Sequence, residues 1–155
     1  MIYRDSASYG KRQEYIAVSE LLKRNFDVYM TLIDDQGIDC VVRVNHTRYL
    51  DIQIKTRSKN AIPRDWAYFP RLNVPEGRDN YFFLFFSEGA NCYWTFPAND
   101  IISLAASAGT NVSRNLTGAN AGKYAIRTAG HSSGCCIPFE RFDKYKNDYG
   151  FALLK

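Results

Sequence analysis

The segment YLDIQIKTRS, Tyr49 to Ser58, alternates apolar and polar residues with a period of two. That period marks a half-buried strand, with successive side chains on opposite faces. Leu50, Ile52 and Ile54 fall on one face, and Gln53, Lys55 and Arg57 on the other. A surface strand carries such a polar face without any further role. An active site that handles a metal ion and a phosphate carries one for a purpose, and the flanking sequence separates the two.

Upstream, IDCVVRV, Ile38 to Val44, alternates in the same way, and NHTR, Asn45 to Arg48, is short enough to join the two runs as a hairpin. In a tight hairpin Asp39, Val41 and Arg43 take the face of Gln53, Lys55 and Arg57. Ile38, Cys40, Val42, Ile52 and Ile54 are left for the core. A carboxylate, an amide oxygen and an ammonium then gather at the hairpin's open end. Before it, DVYMTLI, Asp27 to Ile33, predicts a further strand, and DDQG, Asp34 to Gly37, a turn.

A helix is expected from near Ser8 to Phe26, capped by Ser6 or Ser8, with an apolar stripe of Tyr15, Val18, Leu22 and Phe26. At about 100° per residue, Glu14 lies at the margin of that stripe and leans over the sheet towards Asp39. Glu20 faces water and can pair with Arg24 at i,i+4. A carboxylate at a buried margin is costly without a partner, and a divalent cation is one such partner.

Residues 58–80 read as irregular, with Pro63, Pro70 and Pro75 and a series of spaced cations. YFFLFF, Tyr81 to Phe86, has the continuous apolar character of a central strand buried on both faces. CYWTF returns as a strand, and Pro97 opens a short helix, PANDIISLAAS. A loop is expected over 108–122, an edge strand at KYAIRT (Lys123 to Thr128), a glycine-rich loop around His131 to Cys136, and a short helix in the C-terminal FERFDKYKNDYGFALL. This order predicts an α/β sandwich with a mixed central sheet. Too few crossover helices separate the strands for a doubly wound fold.

The 155 residues suit one domain, 1–155, with 46% hydrophobic and 15% aromatic residues marking a folded chain. The formal net charge of +4 is compatible with an anionic partner. MIYRDSASYGKRQ lacks the apolar core of a signal peptide, and the six residues of YFFLFF cannot span a bilayer. A cytoplasmic protein with no membrane partner is expected. Cys40, Cys92, Cys135 and Cys136 form no regular disulfide framework. His131 with Cys135 and Cys136 lacks the second ligand pair of a structural zinc site.

A helical Glu14, then GID ending at Asp39, then QIK from Gln53 to Lys55, resembles the PD-(D/E)XK nuclease superfamily, and within it the branch with Gln at the acidic position of the last motif. Restriction-type endonucleases and Holliday-junction resolvases share that core. The resemblance covers about residues 10–59. Ile38 stands where many relatives have Pro, and Gln53 is neutral where many have a third carboxylate. The resemblance implies a restriction-endonuclease-like αβββαβ core with a mixed central sheet flanked by helices. It implies a divalent-metal-dependent nuclease that hydrolyses phosphodiester bonds, with DNA the expected substrate. Asp39, Gln53, Lys55 and Glu14 would form the catalytic set. Mg²⁺ or Mn²⁺ would be held by Asp39, the Gln53 side-chain oxygen, the Ile54 carbonyl and Glu14. Arg57, Lys59, Arg64, Arg71 and Arg78 would contact the nucleic-acid backbone, with Trp66 and Tyr68 either stacking on bases or covering the sheet. A homodimer is compatible with this reading. The competing reading is a nuclease-fold module that binds nucleic acid or protein and has lost the chemistry; divalent-metal binding separates the two.

Overall fold

The computed structural model describes residues 6–33 and 36–155. Helix α1 (Ser6–Lys23) leads into β1 (Asp27–Met30), β2 (Cys40–Arg43) and β3 (Tyr49–Arg57). These strands form an antiparallel meander, with Val42 opposite Leu50 and Cys40 opposite Ile52. After an excursion over 58–80 that includes β4 (Tyr68–Leu72), the chain returns as β5 (Tyr81–Ser87), parallel to β3 from Asp51↔Tyr81 to Arg57↔Ser87. β6 (Cys92–Pro97) pairs antiparallel with β5, completing a mixed sheet in the order β1-β2-β3-β5-β6. Helix α2 (Ala98–Ala105) follows directly, with Pro97 as its N-cap. This is the mixed α/β architecture expected from the sequence.

All seven residues of β5 are buried, because the sheet is covered on both faces. Phe82 and Leu84 pack with Cys40, Val42, Leu50, Ile52 and Ile54 against Ala17, Val18 and Leu21 of α1. Phe83 and Phe85 point the other way, onto Phe69, Leu72, Trp94, Phe96 and Ile126.

The second layer differs from the sequence reading. Residues 58–80 are not wholly irregular: Pro63–Asp65 forms a 3-10 turn, and β4 pairs with β8 (Tyr124–Arg127). Pro70 hid β4 because a ring without an N–H argues against a strand. It is tolerated because the register slips between Phe69 and Leu72, where Arg71 takes φ +62°. The expected loop over 108–122 holds β7 (Val112–Arg114), so β8 is the middle strand of the order β4-β8-β7, not an edge. The expected glycine-rich loop is a hairpin of β9 (Ala129–Ser132) and β10 (Cys135–Pro138). The C-terminal segment divides into a 3-10 stretch, Glu140–Tyr145, and helix α3 (Asn147–Ala152).

Helix α1 also departs from expectation. It stops at Lys23, where Asn25 adopts φ +63° and the Phe26 N–H closes back on the Leu21 carbonyl. Its buried face is Gln13, Ala17, Val18 and Leu21, whereas Tyr15 and Leu22 are 57% and 53% exposed. The stripe was misread because Ala17 and Gln13 are weak hydrophobic signals beside an exposed tyrosine and leucine. The expected turn falls partly on Asp34 and Asp35, and the cap on the residues around Ser6; Asp34, Asp35 and the segment before Ser6 lie outside the described residues. No helix among the described residues is long and apolar enough to cross a membrane.

Candidate active site where β2 leaves β3

The ladder between β2 and β3 is regular up to Cys40↔Ile52 and then slips. The Asp39 N–H donates to the Ile52 carbonyl at 2.9 Å, so Asp39 and Cys40 both oppose Ile52. An extra residue of this kind bends a strand and re-aims its side chain. The Asp39 carboxylate turns into the split: Asp39 is 6% exposed, and its Oδ2 accepts the Ile54 N–H at 2.6 Å. The acid thus lies against the backbone of the residue between Gln53 and Lys55.

Gln53 is 8% exposed, and its Oε1, sealed from solvent, has no hydrogen-bond partner among the described residues. Its amide nitrogen lies against Gly37, where an added Cβ would stand 2.8 Å from Nε2. Gly37 has φ +68°, and its carbonyl accepts the Tyr81 hydroxyl. Only glycine suits this position on both counts. The turn before β2 therefore packs against the nitrogen end of Gln53. An unpartnered buried amide oxygen costs about 1–3 kcal/mol, and a hard cation would relieve that cost. The donor set of carboxylates, an amide oxygen and a carbonyl suits Mg²⁺ or Mn²⁺.

Lys55 is half-buried, two residues further along β3. It borders a cleft of about 170 Å³ shared with Thr56, Arg57, Phe69, Pro70 and Leu72. Among the described residues its ammonium makes no hydrogen bond or ion pair. A larger cleft of about 560 Å³ lies at the opposite end of the sheet, between Phe26, Arg43, His46 and Leu154, and includes none of these residues.

Glu14 lies on α1, which covers the Ile52–Ile54 face of the sheet, whereas Gln53, opposite Phe83, points to the other face. With the buried face centred between Gln13 and Val18, Glu14 falls within it and not at its margin; its side chain is 22% exposed and paired with Lys11 at 2.7 Å. The Cys40 thiol is pushed up to about 12, first by burial and then by the Asp39 and Glu14 charges. Lys11 is raised chiefly by its bond to Glu14, and Asp39 adds to this. Both carboxylates thus act on the same small region. Among the described residues no three His, Cys, Asp or Glu side chains gather as a ready metal cluster.

Gln13 escaped the sequence reading. It is 6% exposed, one residue before Glu14, and its Oε1 is also sealed, with no partner among the described residues. Its spacing of four and eight from Ala17 and Leu21 was the available signal.

The five expected backbone-contacting cations divide. Arg57 is half-buried and donates to the Tyr68 carbonyl; burial lowers its pKa, with Arg127 and Arg71 adding to this against Asp65. Arg78 is paired with Asp51 and lies over the Tyr81 ring. Both are engaged with partners inside the fold. Lys59, Arg64 and Arg71 have exposed side chains. Trp66 is not free to stack, because its indole donates to the Lys59 and Ala61 carbonyls and its ring fills the space above Gly89. Tyr68 lies beneath the Arg127 guanidinium, 4.6 Å from ring centre to charge.

No protein-family model matches the chain, and no curated protein does. Among solved structures it is similar to a bacterial homing endonuclease, I-Ssp6803I, with a TM-score of 0.58 at 18% identity, covering 97% of this chain and 91% of that one. At this identity the likeness shows the fold alone.

Proposed function

We propose that the protein is a divalent-metal-dependent endonuclease of the PD-(D/E)XK type, in the QxK form, acting on DNA. One observation supports the reading: the buried Asp39 carboxylate accepts the N–H of Ile54, whose chain neighbours are Gln53, with its sealed Oε1, and Lys55. Asp39, Gln53 Oε1, the Ile54 carbonyl and Glu14 would hold the ion. When bound, a divalent cation supplies an activated water and offsets the charge that grows on the phosphate. Lys55 orients that water or meets the phosphate oxygen as its charge develops. Burial of Asp39 and Gln53 keeps water from screening this interaction. The exposed Lys59, Arg64 and Arg71 hold the sugar–phosphate backbone. A cytoplasmic location and homodimer formation belong to the same proposal.

The neutral Gln53 and the two-carboxylate site favour one competitor, a binding module without chemistry. Incubating plasmid, single-stranded and branched DNA with Mg²⁺ or Mn²⁺, beside a Lys55→Ala control, separates the two. The proposal expects metal-dependent cleavage that Lys55→Ala abolishes. Binding with no cleavage under any of these conditions supports the module.

A further inference from the structure

The β9–β10 hairpin is paired with neither larger sheet. Its tip has Ser133 at φ +49° and Gly134 at φ +78°, the two positive angles of a tight two-residue turn whose twist matches the strands. Its base is fixed. Thr128 N–H donates to the Ala67 carbonyl, Phe139 N–H donates to the Thr128 carbonyl, and Gly130 sits against the Phe139 ring. On one side His131 meets the edge of the pinned Trp66, with ring centroids 6.3 Å apart. The other face carries Ser132 and its cross-strand partner Cys135, with Ser133 at the tip; all three are exposed. Among the described residues their hydroxyls and thiol make no hydrogen bond.

The surroundings are cationic. The 3-10 turn Pro63–Asp65 packs against both strands of the hairpin and carries exposed Arg64. Arg71 and Arg127 both lie within electrostatic reach of Arg57, two residues beyond Lys55 on β3. The nearby acids are engaged: Asp65 with Arg127 at 3.6 Å, and Glu88 with the Tyr9 hydroxyl and the Lys59 N–H. Arg57, Arg71, Arg127 and Arg64 are therefore grouped between the far end of β3 and the root of the hairpin.

We propose that the β9–β10 hairpin is a base-reading ribbon that enters the major groove of duplex DNA, presenting Ser132, Ser133 and Cys135 to base edges while Lys59, Arg64 and Arg71 hold the flanking phosphates. Two strands about 5 Å apart, with short side chains, fit a groove about 12 Å wide. Short hydroxyl side chains read base edges without filling the groove.

This inference rests on the DNA-nuclease reading, but its test needs no cleavage. A duplex library with a randomised core is selected in Ca²⁺ by wild-type protein and by a Ser132→Ala/Cys135→Ala variant. Binding to a fixed mixed-sequence duplex is measured in parallel. Wild type is expected to enrich a defined sequence. The variant is expected to lose about tenfold discrimination per base pair at a few adjacent positions, while binding the mixed-sequence duplex as before. Arg64→Ala is expected to weaken both duplexes equally. Enrichment of the same sequence by the variant, or of none by wild type, overturns the proposal. Absence of metal-dependent plasmid cleavage with hairpin-dependent selection intact would reject the nuclease reading and leave the ribbon standing.

Discussion

The Asp39 carboxylate and the Ile54 N–H are 2.6 Å apart, at the point where β2 stops pairing with β3. One side chain thus satisfies a backbone donor and faces the proposed metal position. Asp39→Ala leaves the buried Ile54 N–H without its acceptor, at a cost of about 1–3 kcal/mol. Asp39→Asn keeps an acceptor oxygen and is expected to unfold within a few degrees of wild type. Both should lose Mn²⁺ binding and metal-dependent cleavage. Thermal unfolding beside Mn²⁺ titration checks this; an Asn variant that binds Mn²⁺ like wild type would remove Asp39 from the metal.

The arginines should separate in salt titrations. Lys59→Ala, Arg64→Ala and Arg71→Ala remove exposed cations, so each should reduce the log–log salt slope of duplex binding by about 0.9. Arg78→Ala breaks the pair with Asp51 and should lower the unfolding temperature while leaving the slope unchanged. Slopes unchanged from wild type in the first three variants would mean that these cations do not touch phosphate.

Gln13 presents a sealed oxygen with no partner on the buried face of α1. Gln13→Leu removes that burden and should stabilise the protein by about 1 kcal/mol, raising the unfolding temperature by about 3 °C for a chain of this size. A fall in unfolding temperature would show that the amide satisfies something that leucine cannot.

Glu88 ties α1 to the end of β3 through the Tyr9 hydroxyl and the Lys59 N–H, and the Lys59 hydrogen bond holds its carboxyl below the usual carboxylate range. A depressed folded-state pKa stabilises fully above the unfolded value and is lost as pH falls through the folded one. Glu88→Gln should therefore cost stability near neutrality, and the difference from wild type should shrink below about pH 4. Unfolding midpoints across that range measure it; a gap that widens with acid would reverse the assignment.

The five-stranded sheet was legible because period two in β2 and β3, and the unbroken apolar run of β5, are strong signals. Asp39, Gln53 and Lys55 were legible from the same alternation. The slip that seats Asp39 against Ile54 was not, because no residue between 38 and 44 announces a bulge. β4 was masked by Pro70, and β7 and β9–β10 by runs of Ser, Gly and Asn that read as loop. The engagement of Arg57 and Arg78 is tertiary: their partners Tyr68 and Asp51 lie 11 and 27 residues away. Gln13 shows the converse, a polar side chain on a buried face whose only sequence signal is its helical spacing from Ala17 and Leu21.

If Asp39 and the sealed Gln53 Oε1 share a divalent cation, Mn²⁺ titrated calorimetrically into the free protein will distinguish wild type from Gln53→Glu. The neutral Gln53 lends an oxygen without charge, so wild type should bind weakly, and the Glu variant about tenfold more tightly, roughly 1.4 kcal/mol. Equal or weaker binding by the Glu variant would mean that residue 53 does not face a metal, and the proposed centre would fall with it.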